Sequence, residues 1–445
     1  MILLKKLKIA IFMTLVFISL SNVVLSNALS FEGKIHKNVY VRNVNLSYLT
    51  KDEATIKIND ILNDKNSFIL KINDKNYIFN KEYIDVDYHV DEIVNKAYSI
   101  GRDEGIISNF KTKTDLDLGE HKVLQLNCTY NERKLNDYLR CLNEEIYTCP
   151  INSHIVIKDD NVFVTQDKYG YKLNTEKMKA IILDKVKNLD CKEESIPIII
   201  IKPEYSYEEL TKIDTVLGRF YTKFNPKNEN RVSNIRLASK ATNKIILKEN
   251  DVFSFNNSIK DANISEYFKE APVIVNGKPE KGLGGGMCQV SSTIYNAALY
   301  SGLKIITTTN HSIPSTYIEK GRDATICKGY IDLKIQNTYK SPIYIYNQVY
   351  DDRIISTIYG NKLDSKNIDV ITETVEVIPI KTVIKKTDKL KLGENVVQQE
   401  GRKGYKVRTY RVYKYDYKDV REFICESYYP SQEKIIICGT GEVVK

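Results

Sequence analysis

The run Gly284-Gly285-Gly286-Met287-Cys288-Gln289-Val290-Ser291-Ser292-Thr293-Ile294-Tyr295-Asn296-Ala297-Ala298-Leu299-Tyr300 constrains this chain more than any other stretch. Consecutive glycines open backbone angles closed to other residues and let a ligand approach the bare main chain. Val290, Ile294, Ala297 and Ala298 then follow helical spacing, and Gly302 stands where a helix should end. Cys288 therefore falls at the junction of a glycine turn and a helix N-terminus. The partial positive charge there favours an anion, which raises the thiolate fraction of a thiol. The same amides suit the oxyanion of a tetrahedral intermediate. A cysteine at a tight turn can also be a small buried hydrophobe. The glycine run, the helix start and a histidine in the same region weigh against that reading.

The five histidines are His36, His89, His121, His154 and His311, and only His311 shares the central region with Cys288. It follows the strand-like run Lys304 to Thr308. A helix succeeded by a returning strand would bring His311 back beside the helix start, where a thiol needs a base. Downstream, Gly321-Arg322-Asp323-Ala324-Thr325-Ile326 offers Asp323 to orient the imidazole, as the third member of a triad. Arg322 has a planar fork suited to a substrate carboxylate, though an ordinary ion pair at this turn is an equal alternative. Gly285, Gly286, Gln289 and Ser312, the neighbours of the two reactive residues, complete the expected substrate-binding set.

A chain of 445 residues suggests two to four domains. Its net charge of +9 suits an anionic surface such as a cell wall or a membrane face. No basic stripe interleaves with aromatics, so nucleic acid is not an expected partner. Lys5, Lys6 and Lys8 precede an uncharged apolar run from Ile9 to about Leu25, and Ser26-Asn27-Ala28 follows with residues small enough for a signal peptidase. Residues 1–28 are thus expected to direct export, as a cleaved signal or as a retained membrane anchor. The eight cysteines have neither a compact disulfide framework nor zinc-ligand spacing, so no metal or other cofactor is expected. Cys425 and Cys438 are candidates to pair on neighbouring strands.

The expected fold class is α+β, in several domains. Between residues 38 and 203 a helix, a strand pair and a second helix occur twice, about ninety residues apart. The first set is Tyr48–Leu62, Ser67–Ile72 with Asn76–Phe79, and Val90–Ile100; the second is Leu135–Ile146, His154–Lys158 with Asn161–Thr165, and Thr175–Asn188. Asn73-Asp74 and Asp159-Asp160 mark the hairpin turns. A helix over Tyr207–Phe220 is expected to lead into the central unit, residues 204–365. Residues 369–445 alternate as strands, in Val375-Glu376-Val377-Ile378 and again in Val407-Arg408-Thr409-Tyr410-Arg411-Val412, between Gly393, Gly401, Gly404, Gly439 and Gly441.

These features carry three resemblances. Phe253-Ser254-Phe255-Asn256, the Gly-Gly-Gly-Met-Cys-Gln-Val-Ser-Ser-Thr run, Asn310-His311-Ser312 and Gly321-Arg322-Asp323-Ala324-Thr325 together resemble the VanW domain. The preceding region, with Lys168-Tyr169-Gly170-Tyr171-Lys172-Leu173-Asn174, resembles a peptidoglycan-binding domain often found ahead of it, and the last region resembles the all-β module named for five glycines. The resemblance implies a cell-wall protein. It further implies L,D-transpeptidation, in which Cys288 is acylated by a donor stem peptide and the acyl group passes to an acceptor amine. Many relatives have a Glu-Arg pair just before the histidine, where this chain has Thr307-Thr308. A non-catalytic wall-binding protein, and a cysteine peptidase or amidase using water as acceptor, remain open alternatives. Peptidoglycan stems and glycan are the expected partners in each case.

Overall fold

A computed structural model describes residues 11–14, 33–275 and 278–441. Apart from Ile11–Thr14, the N-terminal run expected to direct export lies outside the described residues. Among the described residues no helix is long and apolar enough to cross a membrane.

The chain divides into two compact units. The first holds the chain up to Ile151 together with Lys168–Lys202, and its core gathers Phe68, Leu70, Phe79, Leu135, Leu139, Met178 and Ile182. Its helices begin where the sequence provides caps. Thr50 accepts from the Glu53 N–H while the Glu53 carboxylate accepts from the Thr50 N–H, so the helix Lys51–Asp64 satisfies two otherwise unpaired donors. Asn131 and Asn174 cap Glu132–Ile146 and Thr175–Asn188 in the same side-chain-to-backbone way. The strands Ser67–Ile72 and Lys75–Asn80 pair antiparallel across Asn73, whose positive φ closes the tight turn.

The second hairpin of the apparent repeat behaves differently. Ile155–Lys158 and Asn161–Val164 pair as expected, but Asn152–Asp167 belongs to the second unit. Ile155 is buried with Leu210, Ile213, Tyr344 and Tyr359, and the Asp160 carboxylate accepts from the Tyr359 hydroxyl at 3.1 Å. The hairpin has its apolar partners there, so the region 38–203 is not one self-contained body.

In that second unit a four-stranded antiparallel sheet runs in the order Thr215–Lys223, Arg353–Gly360, Ile343–Val349, Ile245–Leu247. The expected helix over Tyr207–Phe220 is therefore corrected. Only Tyr207–Leu210 is helical, and Thr215–Lys223 is a strand. Its β-branched and aromatic residues fit a half-buried sheet. Gly218 lies where the helix Met287–Tyr300 crosses, and a Cβ there would come within 2.7 Å of the Ala297 carbonyl oxygen. That helix is the spine of the core, buried at every residue from Gln289 to Leu299.

The C-terminal part is all β, as its alternation indicated. Ile368–Ile378, Gly404–Tyr413 and Val420–Tyr429 form one sheet; Thr382–Lys391, Lys434–Gly441 and Asn395–Gln399 form another. Cys425 and Cys438 thus sit in different sheets, and both are free thiols rather than the suggested pair.

Candidate active site

The site begins with a match between a helix and an extended strap. On one face of the helix Met287–Tyr300, Cys288, Ser292 and Asn296 recur every fourth residue. Four helical residues rise ~6 Å, and two extended residues rise ~6.6 Å. Arg322, Ala324 and Ile326 can therefore step down that face in register, running antiparallel to the helix. Asn296 Nδ2 donates to the Arg322 carbonyl at 2.7 Å. Ser292 Oγ accepts from the Ala324 N–H at 2.9 Å, and Ser291 Oγ donates to the Ala324 carbonyl. The Ile326 N–H donates to Cys288 Sγ at 3.4 Å. The strap fixes Asp323 beside the reactive end of the helix.

The strand Lys304–Thr307 returns the chain, and His311 lands against both Cys288 and Asp323. Asp323 Oδ2 lies 2.6 Å from His311 Nδ1 and also accepts the His311 backbone N–H at 2.7 Å. That leaves Nε2 as the ring nitrogen available to act on the Cys288 thiol. Asp323 is 3% exposed. Its other oxygen, Oδ1, accepts the Tyr429 hydroxyl at 2.5 Å.

Burial works to lower the His311 pKa, but the hydrogen bonds to Asp323 and Cys288 outweigh it and carry the value up to about 9. Burial pushes the Cys288 thiol the other way, upward. The hydrogen bond and charge of His311, the Ile326 N–H and the charge of Arg231 overcome this and hold the thiol below its ordinary value. The two shifts favour a thiolate–imidazolium pair at neutral pH. Cys288 is the second residue of its helix, so its own N–H has no intrahelical acceptor and points toward the open end.

The other expected site residues divide. Ser312 is exposed beside His311 in sequence. Gln289 is corrected from a substrate contact to a buried brace. Its Nε2 donates to the Lys223 carbonyl at 2.9 Å and to Thr222 Oγ1 at 3.1 Å, while Oε1 accepts from Arg231 at 3.0 Å. Arg322 is likewise corrected. Its guanidinium is buried, donates to Asn296 Oδ1 and Tyr300, and lies 4.8 Å from the Phe220 ring centroid, so its fork is not free for a ligand. Gly285 and Gly286 are buried in the turn. A Cβ on Gly285 would sit 2.7 Å from the Pro272 carbonyl oxygen, and Gly286 caps the helix at φ +116°.

Two groups near the sulfur were not foreseen. Arg231 is half-buried in the first turn of the helix Glu229–Ala241 and touches the glycine turn. It makes no ion pair among the described residues, and Cys288 and Tyr317 are the charges it senses. The Tyr317 hydroxyl lies 3.4 Å from Ser292 Oγ, and burial together with Cys288 pushes its pKa up. Neither residue carries a spacing signal in the sequence.

Comparison with known proteins bears on this site directly. The family described as "VanW like protein" matches residues 230–359, which hold Arg231, Cys288, His311 and Asp323. The protein YoaR of Bacillus subtilis is 32% identical over 247 residues, spanning 55% of this chain and 80% of YoaR. The chain belongs to the VanW-like family. Ahead of the VanW domain, the family described as "Putative peptidoglycan binding domain" matches residues 77–193; behind it, the G5 domain matches 370–441. The vancomycin B-type resistance protein VanW of Enterococcus faecalis is 34% identical over 139 residues, 30% of this chain and half of that protein's length. Among solved structures, the G5 domain of an IgA1 protease covers 17% of this chain at 28% identity with a TM-score of 0.15. The G5 domain of HP0197 covers 16% at 30% identity with a TM-score of 0.12.

Proposed function

We propose that this protein remodels peptidoglycan at the cell envelope by L,D-transpeptidation through a cysteine acyl-enzyme. The observation that carries the reading is the convergence of Cys288, His311 and Asp323 at a helix N-terminus, with Asp323 bonded to the imidazole and the imidazole acting on the thiol. In this reading the Cys288 thiolate attacks the carbonyl carbon of a donor stem-peptide bond. The Cys288 N–H, which has no acceptor within its helix, is a main-chain donor for the resulting oxyanion. As the C–N bond breaks, the His311 imidazolium gives its proton to the departing amine, leaving a thioester. An acceptor amine then attacks the thioester, loses its proton to His311 and releases the thiolate. One amide replaces another and no cofactor is consumed. Arg231 donates to Gln289 Oε1 at 3.0 Å, but it has no acidic partner among the described residues, so its positive charge suits the carboxylate of the departing D-residue. The accompanying peptidoglycan-binding and G5 domains support a cell-wall substrate and a location outside the membrane.

The test is incubation of the purified protein with tetrapeptide muropeptides, followed by mass spectrometry of the products. Cross-linked dimers are expected with the native chain and none with Cys288→Ala. Shortened monomers alone would mean that water is the acceptor. Unchanged substrate with a folded native chain would favour a wall-binding role.

A further inference from the structure

The residues that hold the catalytic line in place do not all come from the VanW domain. Tyr429 lies on the strand Val420–Tyr429 of the C-terminal β module and is fully buried. Its Oη accepts the Gly321 N–H at 2.7 Å and meets Asp323 Oδ1 at 2.5 Å. Burial, and the Asp323 charge beside it, push the phenol pKa upward, so the hydroxyl keeps its proton. Gly321 already supplies a donor to Oη, which directs the O–H to Asp323. Both oxygens of Asp323 are then committed, Oδ1 to Tyr429 and Oδ2 to His311. The module also grips the two loops that carry His311 and Asp323. Asn310 Nδ2 donates to the Tyr428 carbonyl at 2.9 Å, and Thr409 Oγ1 donates to the Gly321 carbonyl at 2.8 Å.

We infer that the C-terminal β module is a working wall of the cysteine site, and that Tyr429 is a positioning residue that fixes Asp323 and, through it, the His311 ring. An adhesive module joined only by a linker would not need a buried tyrosine on the orienting carboxylate. Loss of the hydroxyl leaves Oδ1 buried without its donor, and the carboxylate is free to turn away from the imidazole. The inference rests on the reading of Cys288 as a nucleophile activated by His311.

The experiment measures site-mapped alkylation of Cys288 by iodoacetamide against pH in the full chain, with thermal melting alongside. Tyr429→Phe keeps the ring and removes only the hydroxyl. It is expected to slow alkylation at neutral pH about tenfold and to move the midpoint of thiolate formation upward, toward that of a free thiol. Thr372→Val removes a different hydrogen bond of the same module, from Thr372 Oγ1 to Glu319 at 2.9 Å, and is expected to leave the profile in place. A Tyr429→Phe profile that superimposes on the native one would overturn the inference. So would equal shifts in both variants, which would mean that any loosening of the module has this effect. If the native Cys288 titrates like an ordinary thiol and ignores His311→Ala, the nucleophile reading itself falls, and the inference falls with it.

Discussion

Asp323→Asn is the most informative single change, because it removes one charge while keeping the shape of the side chain. The His311 value of about 9 stands well above the ordinary 6.5. At 1.36 kcal/mol per pH unit, that difference favours the imidazolium by about 3 kcal/mol. Asp323 is the foremost of the causes that raise it, and Cys288 supplies the remainder. Assigning Asp323 roughly half gives about 1.5–2 kcal/mol, or a loss of about 10- to 30-fold in the ion-pair population. The sign follows from the protonation step. The imidazolium needed to protonate the leaving amine is present below the His311 pKa and is lost as pH rises through it. In the native chain turnover should therefore fall above about 9, and in the Asn variant that limb should move toward neutral pH. A second cost is structural. Asp323 accepts from the His311 N–H, His311 Nδ1 and Tyr429, and a carboxamide presents only one oxygen to these donors. One buried donor is left unpaired, at about 1–3 kcal/mol, which should lower the melting temperature by several degrees. The assay is muropeptide turnover across pH 5 to pH 10 with melting curves on the same samples. An Asn variant whose alkaline limb stays near the native value, with unchanged rate, would refute the assignment of Asp323.

Three further outcomes follow from the site. Cys288 should alkylate faster than the other seven thiols at neutral pH, and its alkylation should show no alkaline decline, since the thiolate persists after His311 loses its proton. Gly286→Ala should cost about 1–3 kcal/mol in urea unfolding, because φ is +116° and the added Cβ would lie 2.9 Å from Ile235 Cγ1. Arg231→Gln should raise the KM for carboxylate-terminated donors about tenfold or more, with a smaller effect when the terminal carboxylate is amidated, measured by initial rates on the two substrates.

Much of the local structure was legible in the sequence. The Thr175–Asn188 helix has the bounds expected of it, and the hairpin turns fall at Asn and Asp residues that take up positive φ at Asn73, Asp159 and Asp160. Gly286 and Gly302 bound the central helix as its pattern indicated, with φ of +116° and +72°. The Cys288–His311–Asp323 juxtaposition was also within reach, since a helix and a returning strand have few ways to pack. What failed was whatever depends on burial by distant residues. Gln289 and Arg322 are ordinary ligand-binding types, but long-range packing commits Gln289 to Thr222 and Lys223, and the strap's register commits Arg322 to Asn296 and Tyr300. Gly218 lay inside the expected helix Tyr207–Phe220, yet it serves a crossing that only the fold defines. Tyr429 lies 106 residues beyond its carboxylate partner, and no local period points to it.

The helix Met287–Tyr300 resolves an apparent contradiction in its own sequence. A segment buried from Gln289 to Leu299 ought to be apolar, yet it carries Gln289, Ser291, Ser292, Thr293 and Asn296. Each buried polar group costs free energy unless it finds a partner. Ser291, Ser292 and Asn296 find theirs on the main chain of Arg322–Ala324, while Gln289 and Thr293 both bond Thr222 of the adjoining strand. A Leu-rich helix would pack as tightly but would accept any neighbouring chain in any register. Hydroxyl and amide groups spaced one turn apart accept only an extended strap with its amides in phase. That phase places Asp323 between two bonded residues, facing His311, and brings the Ile326 N–H to the Cys288 sulfur. The polar residues of the helix interior thus set the geometry of the reactive residues at its end, and apolar replacements among them would trade that register for stability.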